Sequence, residues 1–510
     1  MQRATRDKMR IIRQIPLIQG ENRFFTPKQT DARILVATFI HERPRMRITI
    51  VGAGYAGSTL ATELATTYDT DLDVCLVGTP GNFGGGTAYG DARGEHLLNA
   101  RAGQLGATAG KPAGFARWLN LSEHARDAFL PRAAYGEYLL DRLHEAETTS
   151  TNLTTLEHEV IEIDRLPGRG YRVHLDDGSR FESDHVVLAV GALPPQQLPG
   201  VGPRLSRDPR YVPSPWQAGE LERIDRDARL LVVGTGLTMI DIVATLNRRG
   251  HRGPIIALSR HGLLPQAHTD VAADPVELPP RLLRTLHDSD LRALTAAVRR
   301  LARRADDWRV VVYAMRPELQ DFWRGMSPTQ RARFLRHARP YWESHRHRMA
   351  PKVAAEIDDT RASGRLQIVA GRLLRAGIID DGIYALIRRR GNTEAERHEF
   401  DVLVRATGLE TDITRTTHPL VQHLLSAGTI VPDALGLGIH VSRDSEALDA
   451  DGQPVEGLYC IGALARGECW EMTAINEMRS AIYRLARRLR APPPDRISLP
   501  LAPRTLGAVR

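Results

Sequence analysis

Only three cysteines occur in the 510 residues, Cys75, Cys460 and Cys469, and no two of them form a CxxC pair or a metal-ligand spacing. A flavoprotein disulfide reductase needs two neighbouring redox thiols, so that activity is excluded, and no metal site is assigned. Three separate thiols fit a reducing cytosol. No apolar run approaches the ~18 residues that span a bilayer. Lysine is scarce as well: Lys8, Lys28, Lys111 and Lys352 are the only ones, so the net charge of +8 is carried by scattered arginines. Aromatics make up 5% of the chain and do not interleave with basic clusters, which argues against a nucleic-acid partner. The surplus positive charge instead favours anionic cofactors and carboxylate ligands.

What the chain does have is glycine in informative places. The apolar run Ile48-Thr49-Ile50-Val51 leads into Gly52-Ala53-Gly54-Tyr55-Ala56-Gly57, after which Leu60, Leu64 and Ala65 recur at helical spacing. This is a strand, a tight turn and a helix. Gly52 turns the backbone, Gly54 lets it approach a pyrophosphate, and Gly57 lets the helix pack on the strand. The free amides of the helix start then face the phosphates. Val74 to Val77 reads as the next strand. The position expected to hold an acid for the ribose is Gly78 (78 − 52 = 26 positions on), so the usual acid is missing. The following GGGTAYG and HLLN phrases, with Gly85, Gly86, Thr87, Ala88, Tyr89 and Asn99, suit a backbone lying against a flat ligand.

The phrase repeats. Arg229 to Val233 is an apolar strand, Gly234-Thr235-Gly236-Leu237-Thr238-Met239 a second glycine turn, and Ile240 to Leu246 the start of a helix. Met239 replaces the third glycine, which predicts a helix standing further from its strand. The next strand ends in Ser259-Arg260, and Arg260 occupies the acid position (260 − 234 = 26). A guanidinium there suits a 2′-phosphate, which predicts NADPH over NADH.

Elsewhere, short alternating strands are expected at Val160 to Ile163, Tyr171 to Leu175 and Arg180 to Phe181. Buried strands end in Gly191, Gly408 and Gly462, and the strand before Gly408 is read as returning the chain to the first domain. From Pro279 to Ile357 the pattern is helical and basic, with Leu282, Leu286, Leu291, Leu294, Val298 and Leu301 on one face. Its His345-Arg346-His347-Arg348 run is read as a solvated face rather than a metal pair, with Arg346 or Arg348 as the alternative, a carboxylate receptor. Residues 1–45 are read as a disordered or non-native extension, with Met46 as the alternative start.

Taken together, GAGYAG, GGGTAYG with HLLN, FLPRAAYGEYL, VVLAVGALPP, VVGTGLTMID, SRHGLLP, HRHRMAP and CWEMTAINEMR resemble the FAD/NAD(P)-binding oxidoreductase family related to flavin-dependent N-hydroxylating monooxygenases. The resemblance covers Met46 to about Arg490. It implies an α/β protein with two Rossmann-like dinucleotide-binding domains, the NADPH domain inserted in the FAD domain. The expected divisions are 46–205 and 401–490 for FAD, 225–400 for NADPH with a helical insert at 279–357, and a disordered tail at 491–510. The FAD residues would be Gly52, Gly54, Gly57, Gly85, Gly86, Thr87, Ala88, Tyr89, Asn99, Gly191, Gly462, Trp470, Glu471, Thr473 and Ala474. Those for NADPH would be Gly234, Gly236, Thr238, Ser259, Arg260 and Gly408. No catalytic side chain is assigned.

The implied reaction is oxygenation of an amine or amino acid by molecular oxygen through a peroxyflavin, in the cytoplasm, with the cofactors carrying the chemistry. Two alternatives stand beside it: an NADPH-dependent flavin reductase or dehydrogenase that does not oxygenate, and a non-catalytic flavin-binding redox sensor.

Overall fold

The computed structural model describes residues 45–65, 71–270, 276–287 and 290–491. The expected leader and tail, apart from residues 45 and 491, lie outside the described residues. In chain order the described strands are β1 (Met46–Val51), β2 (Leu72–Gly78), β3 (Leu153–Glu157), β4 (Val160–Arg165), β5 (Tyr171–Leu175), β6 (Arg180–Ser183), β7 (His185–Leu188) and β8 (Tyr211–Val212). They continue with β9 (Leu230–Val233), β10 (Ile255–Ser259), β11 (Leu366–Ile379), β12 (Gly382–Arg389), β13 (Glu396–Phe400), β14 (Val402–Arg405), β15 (Glu446–Leu448) and β16 (Pro454–Cys460).

One sheet has the order β15-β16-β7-β1-β2-β3 and a second the order β13-β12-β11-β10-β9-β14-β8. In the first, β1 pairs in parallel with β2 and β7, and Ile48 and Ile50 are fully buried. Continuous β-branched and apolar runs are what a strand covered on both faces requires. The helix Tyr55–Ala65 covers one face, packing against the helices Arg132–Thr149 and Ile475–Arg490. Strands β4, β5 and β6 form the expected small antiparallel sheet.

The second sheet repeats the first. The run β7-β1-β2-β3 has its counterpart in β14-β9-β10-β11. This corrects one expectation: β14, the strand before Gly408, does not return the chain to the first sheet but completes the second, pairing in parallel with β9 and β8. The sequence likeness of the two strand-to-glycine phrases reflects equivalent places in two sheets. All strands of the second sheet fall between β7 and β15, so the second nucleotide unit is an insertion in the first. The crossovers out and back run side by side, bridged at Leu193 and Glu410.

Between β10 and β11 the chain makes a helical excursion that begins with Pro280–His287 and ends with Pro351–Ala362. Leu282, Leu286 and Leu294 bury their expected face in a core shared with Trp323, Phe334 and Trp470, while Leu291, Val298 and Leu301 pack around it half-buried. Trp470 belongs to the segment before the last helix, so this core fastens the excursion to the first nucleotide unit.

Candidate functional site

The first glycine turn is dictated by its neighbours. Gly52 has φ +105°, and a Cβ there would lie 2.4 Å from the carbonyl oxygen of Ala189 at the end of β7. A Cβ on Gly57 would lie 1.8 Å from the Gly52 carbonyl oxygen. Gly54 differs, because its Cβ would meet only the Cα of Gly86, at an ordinary 3.6 Å. Nothing in the protein demands a glycine there, as befits a position kept bare for a ligand. The missing acid also has a cause: a Cβ on Gly78 would stand 2.3 Å from the Ala53 Cβ, inside the turn itself.

The second turn follows the same plan. Gly234 has φ +122°, and its Cβ would lie 2.0 Å from the carbonyl oxygen of Ala406 at the end of β14. Gly236 is exposed with nothing within 4 Å of its Cβ position. Met239 is fully buried, and the helix Leu237–Arg248 packs more against the helix Pro351–Ala362 than onto its own strands. That is the wider spacing expected from the lost third glycine. Thr238 is half-buried at the start of this helix. The Ser259 hydroxyl faces the turn, 2.8 Å from the Thr235 hydroxyl, and accepts from the Gly262 amide at 3.0 Å.

Arg260 projects into solvent beside His261, whose Nδ1 lies 3.1 Å from a nitrogen of Arg390. Burial, then Arg390, Arg260 and Arg372, push the His261 pKa down. Such a cluster is a ready receptor for a phosphate. His261, Arg372 and Arg390 were not among the expected residues, although the run Arg388-Arg389-Arg390 was a signal.

Between the two units lies a cavity of about 200 Å³. Of the expected FAD residues, Ala88, Tyr89, Asn99, Thr473 and Ala474 line it. Thr473, Ala474 and Asn476 stand at the start of the helix Ile475–Arg490, so the helix presents its amino end to the cavity. The buried Oδ1 of Asn476 has no hydrogen-bond partner. Gly86 to Tyr89 form a single helical turn backed onto the glycine loop, with Gly85 at its start and Thr87 exposed. Gly462, with φ +92°, closes β16 next to Ala56. Gly191 and Gly408, at φ +75° and +83°, sit on the paired crossovers.

Two expected residues are elsewhere. Trp470 is 3% exposed and stacks on Trp323 at 4.6 Å between centroids, with the Arg466 guanidinium 4.3 Å above it. Glu471 is buried, accepting from Trp342 Nε1 at 2.9 Å and lying 3.3 Å from Arg346 Nε. Both brace the wall from behind.

The solvated-face reading of the His345 to Arg348 run is overturned. Arg346, His347 and Arg348 line the cavity, and Arg348 is 1% exposed. The excursion folds back over the first unit, and its half-buried guanidiniums meet carboxylates carried by the last segment. Arg316 donates from Nε and Nη2 to the Glu477 carboxylate at 2.7 to 3.0 Å, and Arg346 lies beside Glu471. Burial and Arg346 press the His347 pKa down to about 4; burial and Arg348 press that of His268 down to about 3. Both rings are neutral at pH 7. Among the described residues, no helix is long and apolar enough to cross a membrane.

The residues present fit two dinucleotides: two bare glycine turns, a helix start with an orphan acceptor, and a guanidinium cluster. Residues 49–193 match a family model described as FAD-NAD(P)-binding, and residues 371–481 one described as an FAD binding domain. No curated protein matches the chain in sequence. Among solved structures it is similar to an ornithine N-hydroxylase from Kutzneria sp. 744 described with reduced FAD, NADP+ and L-ornithine, at TM-score 0.59 and 17% identity, over 88% of this chain and 100% of that one. It is similar to an ornithine hydroxylase from Pseudomonas aeruginosa at TM-score 0.59 and 16% identity, over 87% and 98%. A cadaverine monooxygenase from Erwinia amylovora bound to FAD gives TM-score 0.58 at 14% identity, over 87% and 94%. The chain thus carries FAD/NAD(P)-binding domains, in a fold that it shares with these amine and amino-acid hydroxylases.

Proposed function

We propose that the protein is an FAD-dependent, NADPH-consuming monooxygenase that hydroxylates the nitrogen of an amine or amino acid. The observation that carries this reading is one cavity walled by expected flavin residues on one side and by basic residues of the excursion on the other, in a chain that carries two phosphate-ready glycine turns. The fold shared with three hydroxylases of small amines supports it. Bound FAD, once reduced by NADPH, supplies activated oxygen. The chain's own residues bind and shield. Gly52 to Gly57 would hold the FAD pyrophosphate, and Tyr89, Asn99 and the Thr473 to Asn476 corner would wall its ring. Gly234 to Gly236 take the NADPH pyrophosphate, and Arg260, His261 and Arg390 its 2′-phosphate. His268 and His347, held neutral by burial, neither protonate a substrate amine nor repel it at pH 7.

The test is aerobic turnover of the FAD-loaded protein with NADPH and amines, following oxygen uptake and products. Hydroxylated amine formed in step with NADPH oxidation supports the reading. Hydrogen peroxide as the only oxygen product, whatever the amine, rejects it.

A further inference from the structure

Four guanidiniums line the cavity. Arg132 is 2.9 Å from Asp241, Arg316 is clasped by Glu477, and Arg346 lies 3.3 Å from Glu471. Arg348 is the exception. It is 1% exposed, and its Nε and Nη1 have no hydrogen-bond partner. Among the described residues no carboxylate stands within ion-pair distance of it, and the nearby Asp307 is engaged by Arg309 at 2.9 Å. Two rings cover it instead, Tyr313 at 4.3 Å and Trp308 at 5.8 Å from the guanidinium carbon. Burial is the main cause that lowers its pKa, to about 10, so it is charged at neutral pH. The neutral His268 and His347 beside it supply no counter-charge.

A buried charge without a partner is costly, and a ligand that supplies the partner removes the cost. The anionic parts of both cofactors have receptors of their own, at the two glycine turns and at the Arg260, His261 and Arg390 cluster. We infer that the substrate is a carboxylate-bearing amine and that the Arg348 guanidinium receives its carboxylate. This rests on the oxygenase reading and names the substrate class within it. A planar guanidinium fork matches a carboxylate in two parallel hydrogen bonds, and the flanking rings hold the fork in one plane. A diamine brings a second cation into a cavity that already holds one unpaired cation, and is rejected.

The test compares L-lysine with cadaverine, and L-ornithine with 1,4-diaminobutane, pairs that differ only by the carboxylate. The melting temperature of the FAD-loaded protein with NADP+ should rise with either amino acid and stay put with the diamines. In Arg348→Met the shift should vanish and KM for the amino acid should rise on the order of 10- to 100-fold, the loss of one charge-assisted pair. Arg348→Lys, the milder variant, should recover part of both. A carboxylate-selective melting shift without any hydroxylated product upholds the receptor and removes the oxygenase reading. Equal shifts with the diamines, no shift with either amino acid, or a shift surviving in Arg348→Met overturns the receptor. So does loss of FAD, or slowed anaerobic reduction by NADPH, in Arg348→Met, because the guanidinium would then serve a cofactor.

Discussion

Arg132, at the start of a helix in the first nucleotide unit, places its Nη2 2.9 Å from Oδ2 of Asp241, in the helix that follows the second glycine turn. The pair joins the two units beside the cavity that Arg132 lines. Burial raises the Asp241 pKa to about 6, against the opposing pull of Arg132. A carboxyl with a raised folded pKa gives its full stability below the unfolded value and loses it as pH climbs through the folded one. In Arg132→Gln that pull is gone, so the loss is larger and continues to higher pH. The melting temperature of the variant should nearly match the parent at pH 5, where Asp241 is largely protonated, and fall behind by pH 7.5, by an amount equivalent to at most about 2 kcal/mol. A gap independent of pH refutes this.

The two inner glycines of the first turn should separate folding from binding. Gly57→Ala drives a Cβ into the Gly52 carbonyl oxygen, at 1.8 Å, and should lower the melting temperature even without flavin. Gly54→Ala meets no protein atom closer than 3.6 Å, and should melt within about 1 kcal/mol of the parent while losing FAD on desalting. Flavin retained by the folded Gly54→Ala protein would show that the loop does not carry the pyrophosphate.

Arg260 and Arg390 flank His261, and each alanine variant should raise KM for NADPH by on the order of 10-fold or more while leaving that for NADH within about twofold. Steady-state NADPH and NADH titrations decide this. Equal effects on both nucleotides would place the cluster outside the 2′-phosphate site.

Three histidines near the seam are held neutral by burial: the pKa values of His96 and His268 are pressed down to about 3 and that of His347 to about 4. The sign is opposite to that of Asp241. A lowered folded pKa confers stability above the unfolded value, near 6.5, which is lost as pH falls towards the folded value. Below pH 6.5 each ring should add up to about 1.4 kcal/mol per pH unit to the decline. Chemical denaturation from pH 7 to 5 should show a shallower decline for His96→Gln than for the parent, and an unchanged slope would contradict the burial argument.

Both turns were legible because a glycine forced by the carbonyl oxygens of Ala189 or Ala406 leaves a local trace, a strand before it and a helix after it. Met239 was legible for the same reason: one missing glycine predicted the helix that stands off its strands. The misreadings share a different cause. The partners that bury Arg346 are Glu471 and Glu477, and the ring that claims Trp470 is Trp323, each far away in the chain. No local period announces such pairings, so a basic run read as solvent-facing and a tryptophan read as flavin-facing. β14 was misassigned because its phrase is genuinely a repeat, and a repeat does not say to which sheet it belongs.

The most direct test is a two-step mixing experiment on the FAD-loaded protein. NADPH is added without oxygen, then oxygenated buffer carrying L-lysine or L-ornithine, while flavin absorbance and product are followed. The account predicts that NADPH bleaches the flavin faster than NADH does and that reoxidation yields the N-hydroxylated amino acid. A flavin that NADPH leaves oxidised would contradict it.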